Sequence, residues 1–242
     1  MQASERIIVA LDVDSEARAV ELVRELRGHC GVFKVGLELL NVAGRGILEK
    51  LRDAGADKIF YDAKLHDIPN TVAGAMRGVA KMGAWCVTVH AAGGSAMLTA
   101  ATEAAKTTAE AEGIAPPKIF AVTLLTSIGP DALQNELRVG ESVAEYVAAM
   151  AKMAYDCGCA GVIASPQEIA VVRAAVPDRD FLIITPGVRP AGSQVGDQAR
   201  VTTPSAAIQS GADYLVIGRP ITAAPNPAIA AQKIAEEIQQ TE

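Results

Sequence analysis

Two acids and a lysine crowd the segment Asp62-Ala63-Lys64-Leu65-His66-Asp67-Ile68-Pro69-Asn70-Thr71, directly after the apolar run Lys58-Ile59-Phe60-Tyr61. Along an extended strand successive side chains alternate faces, so Asp62 and Lys64 point the same way and Asp67 falls in the turn beyond. A lysine set between carboxylates is a candidate proton carrier. The same residues on an open surface would be an ordinary ion pair worth little. What decides between the two is the element that carries the segment and the end of it at which the charges stand.

Short β-rich runs recur at 7–11, 32–35, 58–61, 85–89, 119–124, 161–164, 181–185 and 214–217, and segments with helical spacing lie between them, among them 16–27, 72–82, 142–155 and 228–238. Glycines precede several runs, at Gly55, Gly83, Gly158 and Gly211, where each suits a left-handed helix C-cap. The interval from Gly55 to Gly83 is 28 residues, and that from Gly158 to Gly211 is 53, close to two further units. Eight β-then-α units of roughly 30 residues predict an α/β fold, a single (β/α)8 barrel over residues 1–242, with an open doubly wound sheet as the alternative. The Ala/Thr/Glu-rich stretch 100–112 reads as an exposed helix ended by the loop Gly113-Ile114-Ala115-Pro116-Pro117.

Composition agrees with one globular unit: 242 residues, 50% hydrophobic and 21% charged. A net charge of −6 disfavours nucleic acid or an anionic membrane as partner, while leaving room for a local basic pocket. The N-terminus carries no signal-peptide pattern, and no apolar run reaches the ~18 residues of a membrane span, so a cytoplasmic location is expected. Cys157 and Cys159 form a Cys-x-Cys with no nearby His or second Cys pair, which is poor zinc spacing; with Cys30 and Cys86 they read as reduced, mostly buried thiols. Of the three histidines, His29 falls in a helix-to-strand connection and reads as structural, and His90 ends a strand, where packing or hydrogen bonding is its expected part.

In a (β/α)8 barrel the active site gathers at the C-terminal ends of the strands. Strand one ends at Asp12, strand two carries Lys34, and strand three brings Asp62 and Lys64, so three neighbouring strands deliver alternating charges to one rim. Buried charges persist only when paired, and their gathering at this rim favours chemistry over packing. Across the barrel, strand eight leads into Gly218-Arg219-Pro220-Ile221, where Pro220 suits a first helical turn and backbone N–H groups can receive an anion. Strand seven leads into the Gly-rich segment 185–200, which has the look of a closing lid. Arg189 and Arg219 are placed to grip a phosphate, and the expected substrate is a phosphorylated small molecule.

With these residues in view the chain resembles the orotidine 5′-monophosphate decarboxylase family over nearly its whole length. The resemblance is carried by Ala10-Leu11-Asp12, Phe33-Lys34-Val35-Gly36, the full Asp62-x-Lys64-x-x-Asp67-Ile68-Pro69-x-Thr71 signature, Leu125-Thr126-Ser127, Thr185-Pro186-Gly187-Val188-Arg189-Pro190, Gly196-Asp197-Gln198 and Val216-Ile217-Gly218-Arg219-Pro220. It implies decarboxylation of orotidine 5′-monophosphate to UMP, with Lys34, Asp62, Lys64 and Asp67 as the charged array and no cofactor or metal. It further implies a homodimer in which Asp67 and Thr71 reach into the partner's site. Asp12 and Lys34 would bind ribose hydroxyls, Thr126 or Ser127 would face the pyrimidine, and Pro186, Arg189, Gln198, Gly218 and Arg219 would line the phosphate side. His66 stands at a variable position of the signature and takes no role from it. Related barrels that act on ribulose or hexulose phosphates with Mg²⁺ share Asp62-x-Lys64-x-x-Asp67 but place a metal-binding acid where this chain has Lys34, whose charge would repel the ion. A barrel that merely binds a sugar phosphate is the third reading, and it leaves the charged array without a task.

Overall fold

The computed structural model describes residues 1–190 and 202–240. Eight parallel strands close into a barrel in chain order, β1 (Ile7–Ala10), β2 (Val32–Val35), β3 (Ile59–Leu65), β4 (Cys86–His90), β5 (Lys118–Val122), β6 (Gly161–Ile163), β7 (Leu182–Thr185) and β8 (Tyr214–Ile217), with β8 pairing back onto β1. Helices fill the connections: α1 (Glu16–Leu26), α2 (Leu37–Ala43), α3 (Ile47–Asp53), α4 (Pro69–Lys81), α5 (Gly94–Glu112), α6 (Val143–Asp156), α7 (Ile169–Ala175), α8 (Pro204–Gln209), α9 (Arg219–Thr222) and, closing the chain, α10 (Pro227–Gln239). This is the (β/α)8 barrel that the recurring β-then-α units predict.

Local chemistry sets the element ends. At the start of α6 the Ser142 hydroxyl accepts the Glu145 N–H, and the Glu145 carboxylate accepts the Ser142 N–H in return. Asn226 caps α10 by accepting the Ile229 N–H, with Pro227 in the first turn. The four glycines singled out in the sequence all have positive φ: 108° at Gly55, 65° at Gly83, 77° at Gly158 and 107° at Gly211. Each lets the chain leave a helix and turn into the next strand.

Burial alternates along the strands. Ile8, Val32, Phe60, Cys86, Phe120, Ile184 and Tyr214 form one cluster that fills the lumen, with Ile163 of β6 packed against it. Their neighbours Ile7, Val9, Phe33, Ile59, Tyr61, Val87, Ile119, Ala121, Val162, Ile183 and Leu215 belong to the separate layer beneath the helices. Gly161 leaves no room for a side chain: a Cβ there would stand 2.0 Å from the Leu182 carbonyl oxygen and 2.8 Å from the Phe120 ring. Gly161→Ala should therefore destabilise the fold by about 1–3 kcal/mol, read from the urea unfolding midpoint; an unchanged midpoint would contradict this close approach.

Two expectations need correction. The stretch 100–112 is not an exposed helix, because Ala101, Ala104, Ala105, Thr108 and Ala109 make a buried stripe at helical spacing, small enough for α5 to lie closely along α4. Alanine's weak hydropathy hides such a stripe from a composition reading. The third strand does not stop at residue 61 but runs to Leu65, with an irregularity that proves central to the site. All four cysteines are free, Cys86 and Cys159 buried and Cys30 and Cys157 partly so. Burial pushes the Cys30 and Cys159 thiols up to about 12. No helix among the described residues is long and apolar enough to cross a membrane.

Candidate active site

The lumen layer also locates the site. Two residues further along each strand, counted on β6 from Gly161, the same inward face is reached, and those residues are Ala10, Lys34, Asp62, Thr88, Val122, Ile163, Pro186 and Val216. An apolar floor thus gives way, one layer up, to a mixed layer with its charges on β2 and β3. Above it opens a cleft of about 640 Å³ at the C-terminal ends of the strands, lined by seven of these eight residues together with Asp12, Glu38, Lys64, Leu125, Thr126, Gly187, Arg189, Gly218, Arg219 and others.

Four charged side chains form a chain across its β1–β3 wall. Lys34 Nζ donates to Asp12 Oδ1 at 3.0 Å and stands 3.4 Å from Asp62 Oδ2, while Lys64 Nζ donates to Asp62 Oδ2 at 2.8 Å. The side chains of Lys34 and Asp62 are each 9% exposed, against 29% for Lys64 and 49% for Asp12, so the chain runs from a desolvated centre to a wet edge. Gly36 makes room for the first link, since a Cβ there would lie 2.7 Å from Lys34 Nζ.

Strand alternation alone does not produce this arrangement. Tyr61 pairs with Val87 and Leu65 with Val89, so four steps on β3 face two on β4, and residues 62–64 bulge from the ladder. Lys64 sits in the bulge with φ 49°, in the left-handed region that a side-chain-bearing residue seldom occupies. Its backbone N–H, freed from the ladder, donates to Thr88 Oγ1 at 3.0 Å, and the Thr88 hydroxyl donates to Asp62 Oδ1 at 2.8 Å.

Burial by itself would raise the Asp62 carboxyl. The Lys34 and Lys64 ammoniums and the hydrogen bonds from Lys64 and Thr88 outweigh it and hold the group below the usual carboxylate range. Because the folded value is depressed, the pairing supports the fold fully above the ordinary carboxylate value of about 4 and is lost as pH falls through the lower folded value. Urea unfolding between about pH 6 and pH 3 should show stability falling on the acid side, with a shallower fall in Asp62→Asn; identical slopes would remove Asp62 from the linkage.

The other residues singled out in the sequence are placed as follows. Pro186, Arg189, Gly218 and Arg219 line the β7–β8 side of the cleft, with Arg189 buried and Arg219 exposed at the start of α9; because β8 pairs with β1, this side adjoins the charged chain rather than facing it across the barrel as the sequence suggested. Thr126 lines the cleft, whereas Ser127 is exposed and lies outside it. Asp67 and Thr71 are exposed and do not line the cleft of their own chain; the Asp67 carboxylate accepts the Ile68 N–H at 2.6 Å. Gln198, and with it most of the expected lid, lies outside the described residues. His66 and His90 stack with ring centroids 5.3 Å apart, and burial, then His66 and Lys64, lower the His90 imidazole below its ordinary value. Among the described residues no group of three or more His, Cys, Asp or Glu side chains gathers as a metal centre.

The sequence reading missed Thr88 and Glu38. Glu38 is an exposed residue of α2 with no distinguishing pattern. Thr88 carried a usable signal: it is the polar residue on β4 two positions past Cys86, beside Asp62 in the unbroken register that pairs Phe60 with Cys86.

Fold and rim together define the class: a (β/α)8-barrel enzyme with a lysine–carboxylate chain at the mouth of the barrel. The sequence profile of the Orotidine 5'-phosphate decarboxylase / HUMPS family matches residues 5–234, and the chain belongs to that family. It is 48% identical over 241 residues to the orotidine 5'-phosphate decarboxylase of Syntrophomonas wolfei subsp. wolfei, covering 99% of this chain and 100% of that protein. It is 50% identical to that of Moorella thermoacetica, with 99% and 94% covered. The crystal structure of orotidine 5'-phosphate decarboxylase from Lactobacillus acidophilus superposes with a TM-score of 0.84 at 42% identity, covering 96% of this chain and 98% of that one.

Proposed function

We propose that the protein decarboxylates orotidine 5′-monophosphate to UMP and CO₂ in the cytoplasm, as the last step of de novo UMP synthesis, and that it does so without a cofactor. The observation that carries the reading is the Asp12–Lys34–Asp62–Lys64 chain along the β1–β3 wall of a cleft whose β7–β8 wall holds Arg189 and Arg219. One wall suits a phosphate and the other suits a developing carbanion. Loss of CO₂ from C6 leaves an electron pair in the plane of the pyrimidine ring, where it cannot delocalise, so its stabilisation has to come from the protein. The Lys64 ammonium, preorganised by Asp62, supplies that charge and then donates the proton that C6 keeps in UMP. Asp62 near the departing carboxylate raises the energy of bound substrate more than that of the transition state. Asp12 and Lys34 hold ribose hydroxyls, Thr126 faces the pyrimidine, and Arg189, Gly218 and Arg219 bind the phosphate, with Gln198 joining them.

The site is completed in a homodimer, in which Asp67 and Thr71 of each subunit enter the cleft of the other. Their exposure, next to an Ile68 that is 67% exposed, supports a face covered by a second copy. The competing reading within the same family is a Mg²⁺-dependent enzyme acting on a hexulose phosphate. Lys34, 3.4 Å from Asp62 Oδ2, puts a cation where that reading needs a ligand for one. Chelator-treated protein given orotidine 5′-monophosphate should consume the orotate absorbance. Turnover restored only by Mg²⁺, or none at all, would overturn the proposal.

A further inference from the structure

Thr88 is fully buried, and a buried hydroxyl needs partners for both its donor and its acceptor. It finds both in the β3 bulge. Its one O–H is spent on Asp62 Oδ1 at 2.8 Å, and its oxygen accepts the Lys64 backbone N–H at 3.0 Å. Thr88 is also the single β4 residue between the two flanking register pairs, Tyr61 with Val87 and Leu65 with Val89. The bulge therefore strips residues 62–64 of ladder partners, and the side chain opposite them gives one back.

The contact divides the work of the Asp62 carboxylate. With Oδ1 held by Thr88, the other oxygen, Oδ2, is the one that meets Lys64 Nζ at 2.8 Å and Lys34 Nζ at 3.4 Å. The same hydroxyl fixes the backbone from which the Lys64 side chain departs, at a φ of 49° that isolated preference would not choose. Threonine is suited to this because branching at Cβ restricts χ1, so the hydroxyl is stiffly aimed. We propose that Thr88 is a positioning residue of the decarboxylation reaction, tying the Asp62 carboxylate and the Lys64 backbone to β4 so that the ammonium stands at a fixed point. The proposal rests on the activity inferred above, in which Lys64 acts at C6.

Thr88→Val keeps the shape and removes the hydroxyl; Thr88→Ser keeps the hydroxyl and removes the methyl. The valine variant should lose about tenfold to a hundredfold in kcat, with KM within about threefold, because the reacting group is displaced while the groups that hold the phosphate are untouched. Serine should restore kcat to within about threefold of the unaltered enzyme. The acid limb of the kcat profile should move to higher pH in the valine variant and return in the serine variant, since loss of a donor lets the Asp62 carboxyl rise. The charged and titratable groups around that carboxyl are Lys34 on β2, Lys64 on β3, and Cys86 and His90 on β4, with Asp12 acting through Lys34. All of these remain in both variants, so a shift confined to valine reads the hydroxyl.

A folded valine variant with unaltered kcat and acid limb would overturn the proposal. So would a serine variant as impaired as valine, which would assign the effect to packing of the methyl. If valine prevents folding, amide exchange in the unaltered protein decides: the Lys64 N–H should be protected like its ladder neighbours, and rapid exchange there would refute the contact. Absence of turnover in the unaltered enzyme would count against the activity itself, and the Lys64 amide would still report on Thr88.

Discussion

Replacement of Lys64 by alanine should lower decarboxylation by at least ~10³-fold while the protein still folds and still binds UMP. The size follows from the part proposed for the ammonium: a fixed charge aimed at a developing anion in a partly water-excluded cleft is among the largest single contributions a side chain makes to a rate, and in the proposed reaction the same group is also the proton donor. The survival of the fold follows from the geometry. Asp62 keeps Lys34 at 3.4 Å and the Thr88 hydroxyl at 2.8 Å, so its buried carboxylate is not left alone, and the Lys64 side chain is itself 29% exposed. UMP affinity would report the proposed phosphate and ribose contacts, which the substitution leaves in place. Turnover above about a hundredth of the unaltered rate, in a variant with native circular dichroism, would remove Lys64 from the chemical step.

In the proposed homodimer, mixing inactive Lys64→Ala and Asp67→Ala proteins should regenerate activity. If Asp67 serves the neighbouring cleft, a hybrid dimer gathers both substitutions into one site and leaves the other intact. Random exchange then approaches about a quarter of the unaltered activity, since half the dimers are hybrids with one good site each. The same mixture of proteins in which each cleft used its own Asp67 would stay inactive. Subunit exchange is followed by mass spectrometry with one dimer isotopically labelled, so exchange without recovered turnover places Asp67 in its own subunit's service. The exposed position of Asp67, beyond the end of β3 and outside the cleft of its own chain, is what makes the experiment informative.

Much of the barrel was legible because its signals are local and repeated. The runs at 32–35 and 214–217 coincide with β2 and β8, and Gly55, Gly83, Gly158 and Gly211 all turn out left-handed, since a backbone that leaves a helix this way favours glycine whatever surrounds it. The positions of Lys34 and Asp62 were legible for the same reason: a strand end is a local property, and strand order in a (β/α)8 barrel follows chain order. What escaped depends on contacts between strands. No property of residues 58–65 alone announces a bulge, which arises from pairing with β4, and the simple alternation that puts Asp62 and Lys64 on one face does not describe the backbone that carries them. Thr88 went unread because an isolated threonine in an apolar strand is ordinary until its neighbour is known. The buried stripe of α5 escaped because alanine marks a close approach between helices by size rather than by hydropathy.

The lumen layer has a bearing on folding as well as on the cleft. Ile8, Val32 and Phe60 point inward one layer below Ala10, Lys34 and Asp62, and the intervening Val9, Phe33 and Tyr61 point toward the helices. A slip of one residue in the pairing of β2 or β3 would exchange the two faces, turning Lys34 or Asp62 out into the apolar layer under the helices and away from its partner. An unpaired charge there is far costlier than a misplaced valine, so mispaired barrels are selected against by the very residues that line the mouth. The charges that equip the cleft also proofread the strand alignment from which the cleft is built.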